Sequence, residues 1–431
     1  MRLGLFLYKF ATLLVSAVLP LILRRRVAKG KETTARLPER YARNLPGRPD
    51  GLLVWLHAAS VGESRIAAAL AIELLGHKSA AQDSSSGVAI LITCQTLTGY
   101  DTLQNVLGKD HATSDKVLIA AAPIDTPQIA RRFVDHWRPD LAVFVEGEIW
   151  PNLLQNLHRI GARTALINGR MTDQSIGNWL RWPRTAKTLF GRFDLLQAAD
   201  KRTATGLEAL SGKTVEQPGN LKTALSLPPP DPQMMTDLLQ RIGKRTIWLA
   251  ASTHPGEEAL VLDALMQMQA PPFCIIAPRH PERGDQVEAL LSMSRLAYAR
   301  RSVQGKITPE TNIYLADTLG EMALWYEISD VVYLGGGHAP GVGGHNSLEP
   351  LKAGKPVMTG PSLFNFEDMV TDLKADPGFV IVEDAAAMVT ALNMPPPSPA
   401  LLDRLEANAL SPLRRAVTAL SDLLNTTERA K

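Results

Sequence analysis

Glu63 is an acidic residue placed where a predicted strand ends and a predicted helix begins. The apolar run 52–56 leads into His57-Ala-Ala-Ser-Val-Gly-Glu-Ser64, and a helical pattern follows over residues 65–75. Because a helix N-terminus stabilises negative charge, a carboxylate there would stay ionised and could accept a proton. Ser60 and Glu63 also match the S-x-x-E capping box, in which both side chains only close the end of the helix. The local sequence leaves both hypotheses open.

A second acidic motif, Glu146-Gly-Glu-Ile-Trp-Pro-Asn152, follows the strongly apolar run 141–145. Pro151 near a first helical turn is compatible with a simple helix start. Two carboxylates, Glu146 and Glu148, at the end of a buried strand favour a functional site instead. Lys222, after Gly219-Asn220, could neutralise a leaving phosphate or a substrate carboxylate, although a lone lysine is usually solvated.

The second half of the chain contains loops of the kind that hold phosphate groups. They are rich in glycine, hydroxyl and basic residues, and they occupy residues 251–258, 278–283, 317–322 and 335–349. Glycines allow the backbone to approach a phosphate, which a helix N-terminus then binds. Together these loops predict a nucleotide site in the second half.

Several motifs are absent from the sequence. No C-x-x-C, H-x-x-x-H or H-E-x-x-H occurs, which argues against a zinc site. No D-x-D occurs, which argues against a metal-bridged diphosphate donor. Gly206 and Gly212-Lys213-Thr214 resemble a P-loop but have one intervening residue too many. We therefore expect neither a metal nor a cofactor.

Short apolar runs alternate with helical patterns along the whole chain. This alternation predicts buried parallel strands joined by helical crossovers. The predicted strands are 52–56, 89–94, 116–121, 141–145, 164–167, 195–198, 246–250, 273–277, 312–316, 331–334, 356–359 and 379–382. A proline-rich stretch separates two halves. The predicted division is an anchor with its basic flank (1–26), a first doubly wound domain (27–227), a linker (228–232) and a second doubly wound domain that includes a C-terminal helix (233–431).

The N-terminal residues 3–23 are predominantly apolar, with Lys9 as their only charge. A helix of this length reaches roughly 30 Å, enough to span a bilayer if Lys9 snorkels. A secretory signal peptide fits poorly, because no small-x-small cleavage site occurs and the arginines follow the apolar run. An interfacial, monotopic helix remains the alternative. If the segment only localises the chain, its removal should leave the rest folded.

A basic collar follows the apolar segment and suggests contact with an anionic membrane surface. It contains two acidic residues, Glu32 and Glu39, and nine basic ones: Arg24, Arg25, Arg26, Lys29, Lys31, Arg36, Arg40, Arg43 and Arg48. Positive charge after the apolar run places the bulk of the chain in the cytoplasm. The formal net charge of the 431 residues is only +3, so we expect no nucleic-acid partner.

The motifs taken together resemble the Kdo transferase family, which moves 3-deoxy-D-manno-oct-2-ulosonic acid (Kdo) from CMP-Kdo to lipid A precursors. The resemblance covers nearly the whole chain in the family's order. It is carried by WLHAASVGES (55–64), FVEGEIWPN (144–152), NGRMTDQS (168–175), GNLK (219–222), STHPGEE (252–258), PRHPER (278–283), DTLGEM (317–322), GGHNSLEP (343–350) and GPSLFNFED (360–368).

The resemblance implies a GT-B fold of two Rossmann-like domains, with the acceptor in the first and CMP-Kdo in the second, and inversion without a metal. It implies Glu63 as general base, with Glu146 or Glu148 and Lys222 stabilising the transition state. It implies a location at the cytoplasmic face of the cell inner membrane, through a single-pass or monotopic anchor. The implied CMP contacts are Pro278, Arg279, Leu319, Gly320, Glu321, Asn346, Ser347, Leu348 and Glu349.

Two segments depart from the family pattern: His-Ala-Pro-Gly-Val at 338–342, where the family often has a charged loop, and the apparent insertion 79–87. Two other functions compete with Kdo transfer. One is a GT-B transferase or epimerase that uses a UDP-sugar. The other is a membrane-anchored sugar-binding protein without turnover.

Overall fold

The structure is a computed structural model that describes residues 3–80, 87–108, 116–147, 149–225, 227, 229–364 and 373–428. Contacts divide the chain into two compact units. The first comprises Met1–Leu225 together with Ala409–Lys431, and the second comprises Ser226–Asn408.

The first unit is built on a six-stranded sheet in the order β3-β2-β1-β4-β5-β6. Every strand pairing in it is parallel. Because both faces of a parallel sheet must be covered, its strands are apolar throughout, and β1 is buried at all seven positions. The strands are β1 (Leu52–Ala58), β2 (Val88–Cys94), β3 (Val117–Ala121), β4 (Leu141–Val145), β5 (Arg163–Gly169) and β6 (Leu195–Ala198).

Helices cover both faces of this sheet and enclose one apolar core on each face. They are α1 (Leu3–Ala28), α2 (Leu37–Arg40), α3 (Val61–Ala80), α4 (Leu97–Leu107), α5 (Pro127–Trp137), α6 (Pro151–Arg159), α7 (Asp173–Leu180), α8 (Pro183–Phe190) and α9 (Lys201–Ser211). A 3₁₀ turn, Leu221–Ala224, follows them.

The second unit has a seven-stranded parallel sheet in the order β13-β12-β11-β7-β8-β10-β9, again between two apolar cores. Its strands are β7 (Ile247–Thr253), β8 (Phe273–Pro278), β9 (Tyr298–Arg300), β10 (Ile313–Leu315), β11 (Val331–Leu334), β12 (Val357–Thr359) and β13 (Phe379–Ile381). Its helices are α10 (Pro232–Ile242), α11 (Glu257–Met266), α12 (Gly284–Ser292), α13 (Met322–Ile328), α14 (Leu348–Lys352) and α15 (Ala385–Ala391), and α16 (Pro399–Glu428) begins in it.

The predicted fold class is confirmed: each unit is a doubly wound parallel α/β layer structure, and each of the twelve predicted strands is present. One described strand, β9, was not predicted.

The C-terminal helix α16 differs from the predicted division, which assigned all of it to the second domain. Leu401 and Leu405 pack in a core of the second unit, whereas residues from Ala409 onward belong to the first unit. There Leu413, Val417 and Leu420 enter a core beside β1 and α3. Amphipathic spacing predicts a helix but does not identify the surface that its apolar face covers.

Helix α1 docks along the first unit with one stripe of its surface. A side chain at Gly4 would meet Thr185 at 2.7 Å, the Tyr8 hydroxyl donates to Asp125 at 2.9 Å, and Asn152 donates to the Thr12 hydroxyl at 3.1 Å. Further along, Leu19 and Leu23 are only 3% and 2% exposed and belong to the core. Removing residues through Leu23 would open this core, so α1 is part of the folded unit and does more than localise it.

The basic collar is only partly a surface feature, which corrects the sequence interpretation for two residues. Arg40 is 3% exposed and pairs with the buried Glu32 at 2.7 Å. Arg36 is 8% exposed and stacks on the Tyr100 ring, with its guanidinium carbon 3.6 Å from the ring centroid. These two arginines therefore stabilise the segment between α1 and β1 and do not face a membrane.

Candidate active site

Glu63 occupies the first turn of α3, and its carboxylate forms the predicted capping box. Its Oε2 accepts a hydrogen bond from the Ala59 N–H at 2.7 Å, and its Oε1 accepts one from the Ser60 hydroxyl at 2.9 Å. The Ser60 oxygen in turn accepts from the Glu63 N–H at 3.3 Å. The capping hypothesis is thus correct. It does not exclude a role of Glu63 as a base, because the same contacts fix the direction of its carboxylate.

Glu146 and Lys222 form an ion pair beside this helix end. The Lys222 amino nitrogen lies 2.6 Å from Glu146 Oε1, and a side chain at Gly62 in α3 would touch the Lys222 stem at 3.4 Å. The structure therefore brings Glu63, Glu146 and Lys222 together at the carboxyl edge of the first sheet. Glu148 lies outside the described residues.

Asn168 is a further member of this group, and the sequence indicated it only as part of the motif NGRMTDQS (168–175). It is fully buried at the end of β5; its amide donates to Glu146 at 3.3 Å, and its oxygen accepts from the Leu221 N–H at 2.9 Å. Asn168 and Glu146 both have a positive φ, of 56° and 63°. Such strain is costly for residues other than glycine, and it is often found at functional sites.

The turn that carries Lys222 is held by the C-terminal helix. The Thr223 hydroxyl donates to the Ala409 carbonyl at 3.1 Å, and a side chain at Gly219, whose φ is 111°, would meet Pro412 at 3.0 Å. Packing of α16 on the first unit thus positions Lys222, a relation across nearly 190 residues that no local pattern could reveal.

The pKa of the Glu63 carboxyl is raised. Burial is the main cause, and the neighbouring Glu146 carboxylate adds to it. The hydrogen bonds from Ala59 and Ser60 lower this pKa in part, as does the Lys222 ammonium. A carboxylate with a raised pKa is a stronger base, so this environment suits proton abstraction.

His57 joins the two acidic motifs without being available as a base. The Trp150 indole N–H donates to its Nε2 at 3.0 Å, and its Nδ1 lies 2.9 Å from the Thr93 hydroxyl. Burial, with a smaller contribution from Arg40, lowers its pKa to about 3. His57 is therefore neutral near pH 7 and positions Trp150 of the Glu146 motif.

In the second unit, the exposed Arg279 follows β8, and its N–H donates to the Thr253 carbonyl at 3.0 Å. Its positive charge contributes to lowering the pKa values of Tyr326 and His345, and the negative charge of Glu349 contributes to raising the pKa of Tyr326. Arg279 and Glu349 thus both lie near Tyr326. Ser347 is buried and Asn346 exposed at the start of α14, where the Asn346 side chain accepts from the Leu348 N–H at 3.1 Å.

The three residues of the turn at 319–321 differ in how accessible they are to a ligand. Leu319 is 83% exposed and Gly320 has a φ of 84°, but the Glu321 carboxylate is occupied by Arg301 at 2.6 Å. Of these three residues, Leu319 and the Gly320 backbone are the more open to a ligand.

Hydrogen bonds to Glu257 hold the glycine-rich loop after β11 in place. The sequence did not indicate this role. Glu257 is 1% exposed, and its carboxylate accepts from the N–H groups of Gly336 (2.8 Å), His338 (3.0 Å) and His254 (2.9 Å). Tyr333 adds a hydroxyl donor at 3.1 Å.

The glycines of this loop are required by internal packing. A side chain at Gly335 would meet Glu257 at 2.6 Å, and one at Gly337 would meet the Gly360 backbone at 2.6 Å. Close approach of the loop to the protein itself therefore explains these two residues, where the sequence suggested close approach of a phosphate.

Among the described residues, no three His, Cys, Asp or Glu side chains are grouped as a metal site would require. The expectation of metal-free chemistry stays a prediction. The segment 79–87 lies mostly, and 360–368 partly, outside the described residues.

Comparison with known proteins gives a consistent set of relatives. Residues 35–225 match the family described as 3-deoxy-D-manno-octulosonic-acid transferase (kdotransferase). A probable mitochondrial 3-deoxy-D-manno-octulosonic acid transferase of Arabidopsis thaliana is 32% identical, over 86% of this chain and 83% of that protein. The corresponding transferase of Bordetella pertussis is 32% identical, over 95% and 94%. The crystallised C-terminal CMP-Kdo binding domain of WaaA from Acinetobacter baumannii is 34% identical, over 42% of this chain and 96% of that domain, with a TM-score of 0.35.

Proposed function

The chain belongs to the Kdo transferase family, and from this premise we propose that it moves Kdo from CMP-Kdo to a lipid A precursor at the cytoplasmic face of the inner membrane. Family membership makes it a glycosyltransferase and favours it over a UDP-sugar enzyme or a sugar-binding protein without turnover. The observation that supports the chemistry best is the grouping of Glu63, Glu146 and Lys222 at one sheet edge.

The proposed reaction is a single displacement with inversion. Glu63 takes the proton of an acceptor hydroxyl, and the oxygen forms a bond to the anomeric carbon of Kdo. The bond from that carbon to the CMP phosphate oxygen breaks, and its electron pair leaves with CMP. Lys222 and Glu146 stabilise the charge that develops in the transition state, and their mutual ion pair holds both side chains in place.

The proposal is tested by incubating the chain with CMP-Kdo and a lipid A precursor, followed by mass spectrometry of the lipid. We expect the lipid mass to increase by one or more Kdo residues, with stoichiometric release of CMP. No mass change with CMP-Kdo, together with sugar transfer from a UDP-sugar, would contradict the proposed donor.

Lys222 should tune the proton affinity of Glu63. Replacing Lys222 by Met removes a charge that lowers the pKa of the Glu63 carboxyl, so that pKa rises. Because the base must be ionised, the acid limb of the activity profile should move to higher pH, on top of a general loss of rate. Initial rates measured across pH for both proteins check this expectation. An acid limb that stays in place would show that Lys222 does not act on Glu63.

Arg279 should bind the CMP phosphate in the second unit. Arg279→Ala removes a charge-assisted contact worth about 1.5–3 kcal/mol. CMP affinity, measured by titration calorimetry, should therefore fall roughly ten- to a hundredfold. Arg295, an exposed arginine of the same unit, provides the matched control, and Arg295→Ala should leave the affinity unchanged. Equal CMP affinities in the two variants would show that the phosphate does not bind at Arg279.

We propose an in-plane membrane attachment for α1. The segment Gly4–Ala28 is long and apolar enough to cross a membrane. However, one stripe of α1 contacts the first unit from Gly4 to Leu23, while large apolar side chains such as Phe10, Leu14 and Leu21 are exposed on the rest of the helix. A helix that contacts the folded unit from Gly4 to Leu23 fits an interfacial position in the cytoplasmic leaflet better than a span.

A further inference from the structure

A cationic cavity lies beside the anchor helix, and Glu63, Glu146 and Lys222 are not among its described lining residues. Its volume is about 610 Å³, and α1, α5 and α6 contribute to its walls. Its lining includes four cationic side chains, Lys9, Arg131, Arg159 and Arg192, and the amides of Gln155 and Asn156. No acidic residue is among its described lining residues.

The positive charge of this cavity is only partly balanced. Arg131 and Arg159 share one carboxylate, that of Asp135, which lies 3.4 Å from Arg131. The Arg192 Nη1 nitrogen is buried and has no hydrogen-bond partner in the described part of the chain. Arg192 lines this cavity and a second one. A buried donor without a partner is costly, and an anion that reaches Nη1 would relieve that cost.

Exposed apolar side chains flank Lys9, the residue of α1 that lines the cavity. Lys9 is the only charged residue of α1 before Arg24, and Phe6 and Leu13 lie one helical turn to either side of it. Phe6 is 50% exposed and Leu13 is 42% exposed. The surface thus combines hydrogen-bond donors and positive charge with an adjoining apolar strip. A free anion would contact only the donors and positive charges. A lipid with an anionic headgroup would contact these groups and the apolar strip as well.

We propose that this cavity binds the phosphate headgroup of an anionic bilayer phospholipid, whose acyl chains lie along the exposed face of α1. Lys9, Arg192 and the arginines of α5 and α6 bind the phosphate, and the side-chain amides donate further hydrogen bonds to it. Such a site gives the attachment of α1 a preference for anionic lipid that burial of apolar surface alone cannot supply.

The test uses the intact chain in a non-ionic detergent and titrates short-chain lipids calorimetrically. Dihexanoyl phosphatidylglycerol is the anionic probe, and dihexanoyl phosphatidylcholine is its zwitterionic counterpart. We expect the anionic lipid to bind about tenfold more tightly or better. Lys9→Gln combined with Arg192→Gln should abolish this preference, and Lys9→Gln alone should reduce it with little risk to folding. Arg24→Gln combined with Arg25→Gln, which removes two exposed collar charges, should preserve it.

Several outcomes would overturn the proposal. Equal affinity for the two lipids would exclude a headgroup site. Loss of the preference in the collar variant, with retention in both cavity variants, would place the charge effect at the collar. Competition by inorganic phosphate at the same affinity as the anionic lipid would show a free-anion site. Displacement of the lipid by a lipid A precursor would make the cavity an acceptor site. None of these measurements depends on transferase activity.

Discussion

Replacing Glu63 by Gln should lower turnover about 10²- to 10⁴-fold, the contribution that a general base typically makes. The amide cannot accept the acceptor's proton, but it can still cap the helix. Its oxygen can accept from the Ala59 N–H and its nitrogen can donate to the Ser60 hydroxyl, which replaces the two contacts of the carboxylate. The variant should therefore stay folded and bind CMP normally. Initial rates, thermal unfolding and CMP titration measure the three properties separately.

The matched control for this experiment is Ser60→Ala. It removes the other half of the capping box, at a cost of about 1 kcal/mol in the free energy of unfolding. The Glu63 carboxylate keeps its bond to Ala59, so turnover should change little. If Glu63→Gln instead retains more than about a tenth of the rate, Glu63 is not the general base, and capping is its main role.

The sheets could be predicted because their information is local. Each buried parallel strand needs several consecutive apolar residues, and the twelve runs chosen on that basis all coincide with strands. Strand β9 does not meet this condition. Its three residues, Tyr298, Ala299 and Arg300, end in a charge, only Ala299 is buried, and the strand lies at the edge of its sheet. The edge strands β3, β6 and β13 do have apolar runs and were predicted, so β9 was missed because it is short and has no such run.

The candidate active site could be predicted in part. The capping box of Ser60 and Glu63 spans four residues, so its pattern is visible directly in the sequence. The pairing of Glu146 with Lys222 spans 76 residues. It depends on Asn168, at the end of β5 beside β4, which donates to Glu146 and accepts from the Leu221 N–H in the turn that carries Lys222. The rule that parallel strands present their carboxyl ends together indicates the edge but not the pair.

Burial of charged residues was the main thing that local sequence could not reveal. Arg36 and Arg40 have the same residue type and spacing as exposed collar residues, and only tertiary contacts with Tyr100 and Glu32 distinguish them. Glu257 is a similar case. It follows a glycine at the start of a helix, where an acidic residue is ordinary, and its partners at Gly336 and His338 are about 80 residues away.

Glu257→Ala should produce the largest loss of stability among the substitutions considered for the second unit. The change leaves the N–H groups of Gly336, His338 and His254 and the Tyr333 hydroxyl without their acceptor. An unsatisfied buried group costs about 1–3 kcal/mol. With partial compensation by water entering the space, we expect the free energy of unfolding to fall by about 4 kcal/mol. Urea unfolding measures this loss, and hydrogen exchange of the Val331–Leu334 strand and the loop after it locates it in the second unit.

Glu257→Gln and Glu282→Ala make the experiment specific. Gln keeps one acceptor oxygen, so its stability should lie between that of Glu257→Ala and that of the parent chain. Glu282 is a glutamate of the same unit with a side chain that is 75% exposed, and its removal should change the unfolding midpoint little. Unchanged stability in Glu257→Ala would mean that water replaces the carboxylate completely. The loop glycines would then have to keep their positions through their other backbone contacts, such as the hydrogen bonds from the Gly335 N–H to the Ala251 carbonyl and from the Ser362 N–H to the Gly337 carbonyl.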